Sequence, residues 1–211
     1  MGGYYQYQYE MFDLDPEHPL KMISQPLFDH AAEHGFPPDF FSNSYFDHVN
    51  FGAFPEGADC SCSYFQGCIF AGCKINKCVF DDTRIYDSTF CGAELRMVNF
   101  TGATIAHTHF QNSGLTFASF QNARLKNSVF VNCDLDIVDF QGSTLDGASF
   151  RQIDASYIQN LRHAVITQGG ATGEEVRHLQ RSTFRALGVP LFSPKQHPPT
   201  NRRRKPPGVE R

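Results

Sequence analysis

The chain has 211 residues, a formal net charge of −4, seven cysteines and no tryptophan. That length suits one substantial domain with appendages, and 41% hydrophobic against 19% charged content permits a packed core. No apolar run approaches the roughly 20 residues of a membrane-spanning helix. The charge is unevenly placed. Residues 1–59 hold ten acids against Lys21 alone, for −9; residues 60–150 hold eight acids and six bases, for −2; residues 151–211 hold eleven bases and four acids, for +7.

The N-terminal stretch "MGGYYQYQYEMFDLD" lacks the basic and apolar regions of a secretory signal. Gly2 opens like a myristoylation site, but Gln6 stands where that chemistry needs Ser or Thr. With no export signal, the cysteines read as reduced thiols and the expected location is cytoplasmic. Residues 1–59 are expected to form an acidic N-terminal cap, partly irregular. A short helix is expected in "SQPLFDHAAEHGFPPDF", where Pro26 suits the first turn and Gly35 with Pro37 ends it. His30 and His34 share a helical face beside Glu33, but no third ligand accompanies them, so no metal is expected.

Residues 60–153 carry a repeat. From Phe65 to Phe150 a large apolar residue recurs every fifth position for eighteen units without a break. Two residues before each stands something small or modest, from Ser63, Cys68 and Cys73 through to Val138, Ser143 and Ala148. Two residues after each, Gly or Asn fills ten of the eighteen places. A helix would scatter a period of five around its axis, and a straight strand would alternate it between faces. The chain must bend once per unit, with the large residue turned inward and Gly or Asn at the bend. The small residue two places earlier shares the inward direction.

From Phe70 to Phe150, Phe alternates strictly with Ile or Leu. Only a four-sided coil of about twenty residues stacks like on like. Phe70, Phe90, Phe110, Phe130 and Phe150 then form one column and Phe80, Phe100, Phe120 and Phe140 another. Ile75, Leu95, Leu115 and Leu135 line a third side, and Ile85, Ile105, Leu125 and Leu145 the fourth. The expected fold class is an all-β solenoid of roughly four and a half coils, about 4.8 Å apart. The pattern reaches loosely back to Phe46 and Phe51, with Ser44 and Val49 two places before them, then slips through "GAFPEGADC".

The units "SVFVN CDLDI VDFQG STLDG ASFRQ" resemble the pentapeptide-repeat family, in which a small residue, a polar residue and a central Leu or Phe recur every five. That resemblance implies a right-handed quadrilateral β-helix, in agreement with the four-sided argument. After Phe150 the pattern fails. Residues 154–192 are expected to form a C-terminal cap or dimerisation helix. Thr172 with Glu175 is a capping-box signal, Val176, Leu179, Phe184 and Leu187 form a rough apolar face, and Gly188 suits the position after the helix. Arg177, Arg181 and Arg185 recur on another face. "RALGVPLF" resembles the ending of the gyrase-protecting members of the family, which implies a homodimer through Val176, Leu179, Phe184, Leu187, Val189 and Leu191. Residues 193–211 are expected to be a disordered basic tail. Any direct nucleic-acid contact is expected only from its "RRRK".

No catalytic signature appears: "GGATGE" lacks the Lys of a phosphate loop, and there is no nucleophile elbow or paired-carboxylate pattern. Cys68, Cys73 and Cys78 fall in small inward slots and read as core residues, whereas Cys60, Cys62 and Cys91 fall outside them. A non-catalytic binding protein with no cofactor is expected. Candidate partner-binding residues are an apolar ladder at one corner, Met97, Phe117 and Ile137, and two acidic groups, Asp81, Asp82 and Asp87, and Asp134, Asp136, Asp139 and Asp146. The family resemblance implies a DNA-mimicking rod that protects DNA gyrase or a related topoisomerase from antibiotics or toxins. The other reading is a protein-interaction scaffold without a topoisomerase.

Overall fold

The structure is a computed structural model and describes residues 20–153 together with the strand at 165–167. The repeat winds the chain into a parallel β-solenoid of about seven coils. One side carries an eight-stranded parallel sheet of β1 (Lys21–Ile23), β2 (Ser44–Asp47), β3 (Tyr64–Gln66), β4 (Arg84–Tyr86), β6 (Thr104–Ala106), β8 (Arg124–Lys126), β10 (Thr144–Asp146) and β12 (Val165–Thr167). The next side carries β5 (Thr89–Cys91), β7 (His109–Gln111), β9 (Val129–Val131) and β11 (Ser149–Arg151). The register is twenty residues per coil through the repeat: Phe65 lies under Ile85, then Ile105, Leu125 and Leu145.

The other two sides are turns joined by single bridges. The Val98 N–H donates to the Leu95 carbonyl at 3.3 Å, and the Ala103 N–H to the Phe100 carbonyl at 3.1 Å. Between coils the bridges run Lys74–Glu94–Gly114–Asp134 and Val79–Asn99–Ser119–Asp139.

Every central residue and every small slot from Ser63 to Phe150 is buried. The rings stack as the alternation demands. Phe90, Phe110 and Phe130 lie face to face at 4.8 and 4.7 Å, and Phe100, Phe120 and Phe140 at 4.9 and 5.2 Å. The two columns meet edge to face, as at Phe110–Phe120, 6.3 Å apart and 86° between planes. Stacking within a column and edge contact between columns both suit the ring quadrupole.

The small slots are polar as often as apolar because they close hydrogen bonds between coils. Ser113 Oγ lies 3.1 Å from the Phe90 carbonyl and accepts the Ala93 N–H at 3.1 Å. Cys73 Sγ faces the Phe51 carbonyl at 2.7 Å. Burial pushes the Cys68 thiol up to about 12 and the Cys73 and Cys78 thiols to about 11.

The solenoid begins earlier than the unbroken repeat. β1 pairs with β2, Ile23 over Phe46, and this first coil takes twenty-three residues because it contains a helix. That helix, α1 (Gln25–His34), has Pro26 in its first turn and ends at Gly35, whose φ is +101°. It buries Phe28 and Ala31, and Phe28 meets Phe51 edge to face at 4.9 Å, so α1 packs on the N-terminal coil and covers its core. The next coil is one residue short: Phe46 pairs with Phe65 nineteen residues on, whereas Asp59 bridges Val79 at twenty. The missing residue falls between Phe51 and Gly57, which carry the sequence slip. Register is restored by Cys60, which is wholly buried and bonds through its N–H to the Val79 carbonyl at 2.7 Å. Cys60 is therefore a core residue on the Phe80 column: it lies outside the small slots because it takes a central position, five residues before Phe65.

Candidate interaction surface

The bends form four vertical corners, and each bend residue has a left-handed backbone. From Cys62 to Gln152 every fifth residue has φ between +50° and +71°. Three corners satisfy this with Gly, Asn, Asp, His or, at the first and last bends, Cys62 and Gln152. Along one of them Asp82 leans over Gly102, where a Cβ would strike its carboxylate, and Asn122 does the same over Gly142. The fourth corner instead holds Lys77, Met97, Phe117 and Ile137, at φ +59°, +59°, +64° and +57°. A non-glycine residue in this region costs about 1–2 kcal/mol, and a bulky or β-branched one there is an outlier.

The same residues are exposed. Met97 retains 49% of its surface and Phe117 42%, the largest exposed hydrophobics of the repeat with Ile69 at 44%. Ile137 is half-buried. Their N–H groups are already committed: that of Met97 donates to the Thr116 carbonyl at 3.0 Å and that of Phe117 to the Asp136 carbonyl at 2.9 Å. Arg96 lies over the Phe117 ring, its guanidinium carbon 5.7 Å from the centroid. Lys77, one coil below Met97, pairs with Glu56 at 2.7 Å and holds that carboxyl below its ordinary range.

The structure divides the carboxylate candidates. Asp134, Asp136 and Asp139 flank Ile137 on the two sides of its corner, while Asp146 sits on β10, a side further on. Asp134 accepts the Thr116 hydroxyl at 2.8 Å and the Asp136 N–H at 3.0 Å; Asp139 accepts the Gln121 amide at 2.7 Å and the Gln141 N–H at 2.9 Å. These two thus hold their own bends as well as facing solvent. In the other group, Asp87 accepts the Gln66 amide at 2.9 Å from a different corner than Asp81 and Asp82. Asp81 has one buried oxygen, Oδ1, without a hydrogen-bond partner, and burial, then Asp82 and Asp59, raises its pKa.

Charge differs by side. The Phe80–Phe140 side carries Asp81, Asp82 and Asp139 and no base in its segments 78–82, 98–102, 118–122 and 138–142; the Phe90–Phe150 side carries no acid in its segments 88–92, 108–112, 128–132 and 148–152; Arg84, Arg124 and Lys126 stand on the eight-stranded sheet. His30 and His34 stack at 4.2 Å, and among the described residues no three His, Cys, Asp or Glu side chains are grouped to hold a metal. No helix among the described residues is long and apolar enough to cross a membrane. The dimerisation candidates Val176, Leu179, Phe184, Leu187, Val189 and Leu191, and the basic tail, lie outside the described residues.

Residues 93–132 and 115–152 match the family model for pentapeptide repeats, in eight copies. The coil that carries them is a pentapeptide-repeat β-solenoid. Solved structures of similar architecture include a pentapeptide repeat protein, Rfr23, from the cyanobacterium Cyanothece 51142, at 11% identity and TM-score 0.41, covering 78% of this chain and 98% of that one. A pentapeptide repeat protein of the Arabidopsis thaliana thylakoid lumen is 18% identical with TM-score 0.45, covering 61% and 88%. A plasmid-mediated fluoroquinolone resistance protein, QnrB1, is 15% identical with TM-score 0.41, covering 82% and 100%. No curated protein matches the chain by sequence at a significant level.

Proposed function

We propose that this protein is a non-catalytic interaction rod whose docking strip is the corner formed by Met97, Phe117 and Ile137. The observation that carries this reading is the choice of residues at that corner. The backbone there favours Gly or Asn, the other corners supply such residues, and this one places three apolar side chains at unfavourable φ where they meet solvent. Local strain retained at an exposed position points to a use outside the fold. The coils supply rigidity, the turn hydrogen bonds fix each side chain, and the strip presents apolar rungs about 4.8 Å apart.

The distribution of charge supports a scaffold over a DNA mimic. Duplex DNA carries one negative charge per ~1.7 Å. Residues 60–150 hold eight carboxylates against six bases, and one of their four sides has no carboxylate at all. A topoisomerase is the alternative partner, on the family resemblance. The test places a photo-crosslinking residue at position 117 and, in a separate protein, at the Asn127 corner, in cells of the source organism. A defined crosslinked partner is expected from 117 alone; equal patterns from both positions would refute the strip. Gyrase supercoiling with a quinolone, with and without the protein, separates the readings: protection would restore the topoisomerase partner.

A further inference from the structure

The helix α1 closes the N-terminal end of the solenoid and buries Phe28 and Ala31. Its other face turns His30, Glu33 and His34 outward, all three exposed. Neither imidazole serves the core. Residues four apart are neighbours on a helix surface, and the His30 and His34 rings stack with centroids 4.2 Å apart and 27° between planes. His34 Nδ1 lies 2.9 Å from the His30 carbonyl. A carbonyl only accepts, so Nδ1 carries the proton and the neutral ring keeps its lone pair on Nε2. A hydrogen bond of this kind, from one ring nitrogen to a carbonyl, is what fixes the tautomer and orientation of a metal-ligating imidazole.

The spacing suits a shared ion. Two nitrogens each ~2.0–2.1 Å from a tetrahedral zinc ion stand ~3.3 Å apart. Rings whose centres are 4.2 Å apart reach that spacing by a small rotation about χ2, a soft torsion in histidine. The surroundings favour a cation. The helix ends at His34, where the last carbonyls form the negative end of the helix dipole. Glu33 stands on the same turn, and residues 20–59 hold six acids against Lys21 alone. Among the described residues no group of three metal-ligating side chains forms, so solvent completes the coordination. Neutral imidazoles select late first-row divalent ions over Mg2+ and Ca2+, which take oxygen ligands.

We infer that His30 and His34 form a two-imidazole site for a divalent transition-metal ion of the zinc class, and that the bound ion pins the last turn of α1 over the N-terminal coil. A helix of ten residues is marginal by itself. Packing of Phe28 on Phe36, Phe40 and Phe51 holds α1 in place, and an ion shared by His30 and His34 resists fraying from the Gly35 end. An ion that binds only the folded helix adds its binding to the stability of that cap. The inference goes beyond the docking strip and involves no partner, so the two readings fail independently.

The test titrates the full-length protein, free of any polyhistidine tag, with zinc chloride by calorimetry, and follows amide exchange in α1 with and without the ion. One zinc per chain is expected to bind through both rings. His30→Gln and His34→Gln should each weaken it at least about tenfold, the loss that removing even a residue hydrogen-bonded to a ligand brings. Both side chains are exposed, and circular dichroism confirms that each variant keeps the solenoid. Exchange at the Gly35 N–H, which donates to the Ala31 carbonyl at 2.8 Å, should slow with zinc in the native protein and in neither variant. Magnesium chloride should have no such effect. His107→Gln with His109→Gln, two exposed histidines of the repeat, should leave the site intact. Absence of zinc binding overturns the inference, as does binding that either α1 substitution leaves unweakened or that the His107–His109 pair weakens equally. One zinc per two chains would assign the ion to a bridge between copies and overturn the single-chain site. Zinc bound through the pair with unchanged exchange at Gly35 overturns the pinning of α1.

Discussion

Removing the ring of Phe110 tests whether the stacked columns hold the coils together. The residue is wholly buried, lies face to face with Phe90 at 4.8 Å and Phe130 at 4.7 Å, and meets Phe100 and Phe120 edge on, each at 6.3 Å. Phe→Ala in a core costs about 3–5 kcal/mol through lost transfer energy and a residual cavity. Here the cavity is walled by rings whose own coils are fixed by inter-coil hydrogen bonds, so little collapse is possible. Phe110→Ala should therefore lie near the top of that range, about 5 kcal/mol. Leu115→Ala, on the next side of the same rod and equally buried, removes fewer atoms and no ring pair, and should cost about 3 kcal/mol. A solenoid coil touches only its neighbours, so a mid-rod cavity should also broaden the transition as the two halves uncouple. Urea unfolding followed by circular dichroism measures both midpoint and slope. A cost below about 2 kcal/mol for Phe110→Ala, or one no larger than for Leu115→Ala, would refute the stacking argument.

Other outcomes follow from the same geometry. Replacing Met97, Phe117 and Ile137 together by Asn, the residue other corners carry at Asn112, Asn122, Asn127 and Asn132, should leave the melting temperature unchanged or raised, because Asn tolerates this backbone better and relieves part of the about 1–2 kcal/mol per residue, which offsets lost contact; a large fall would show that the ladder serves packing. Ser113→Ala leaves the buried Ala93 N–H without its acceptor and should cost about 1–3 kcal/mol, measured by the same urea titration. The buried thiols set an alkaline limit. Burial lifts the folded pKa of Cys68 to about 12 from the ordinary 9.0, so the folded chain keeps a proton that the unfolded chain releases. This contribution is complete below pH 9 and lost as pH rises from there toward 12. Thermal melts from pH 8 to 10.5 should fall more steeply for the native protein than for Cys68→Ala, and equal slopes would contradict the assignment. At neutral pH iodoacetamide should label exposed Cys62 before Cys60, Cys68, Cys73 or Cys78.

How far the fold and the candidate site were legible differs by feature. A period of five that fits neither helix nor strand forces a bend per unit, and the Phe–Leu alternation forces four sides; both follow from local chain geometry, and the Phe90–Phe110–Phe130 stack is their result. The ladder Met97–Phe117–Ile137 followed from the twenty-residue register alone. Its strain did not, because a residue type says nothing of its φ until the inter-coil bonds at Thr116 and Asp136 hold the bend left-handed. The paired roles of Asp134 and Asp139 at their own bends were hidden for the same reason. The first coils were hidden too. Lys21–Ile23 has no repeat pattern and becomes a rung only by pairing with β2 across an inserted helix, and Phe46 and Phe51 stack on Phe65 and Phe70 only because their coil is one residue short. The sequence by itself determined what points inward, since alternation along the backbone is a local property. Tertiary structure decided where the solenoid starts, which sides are strand and which are turn, and which corner carries strain, since those depend on hydrogen bonds between residues some twenty positions apart.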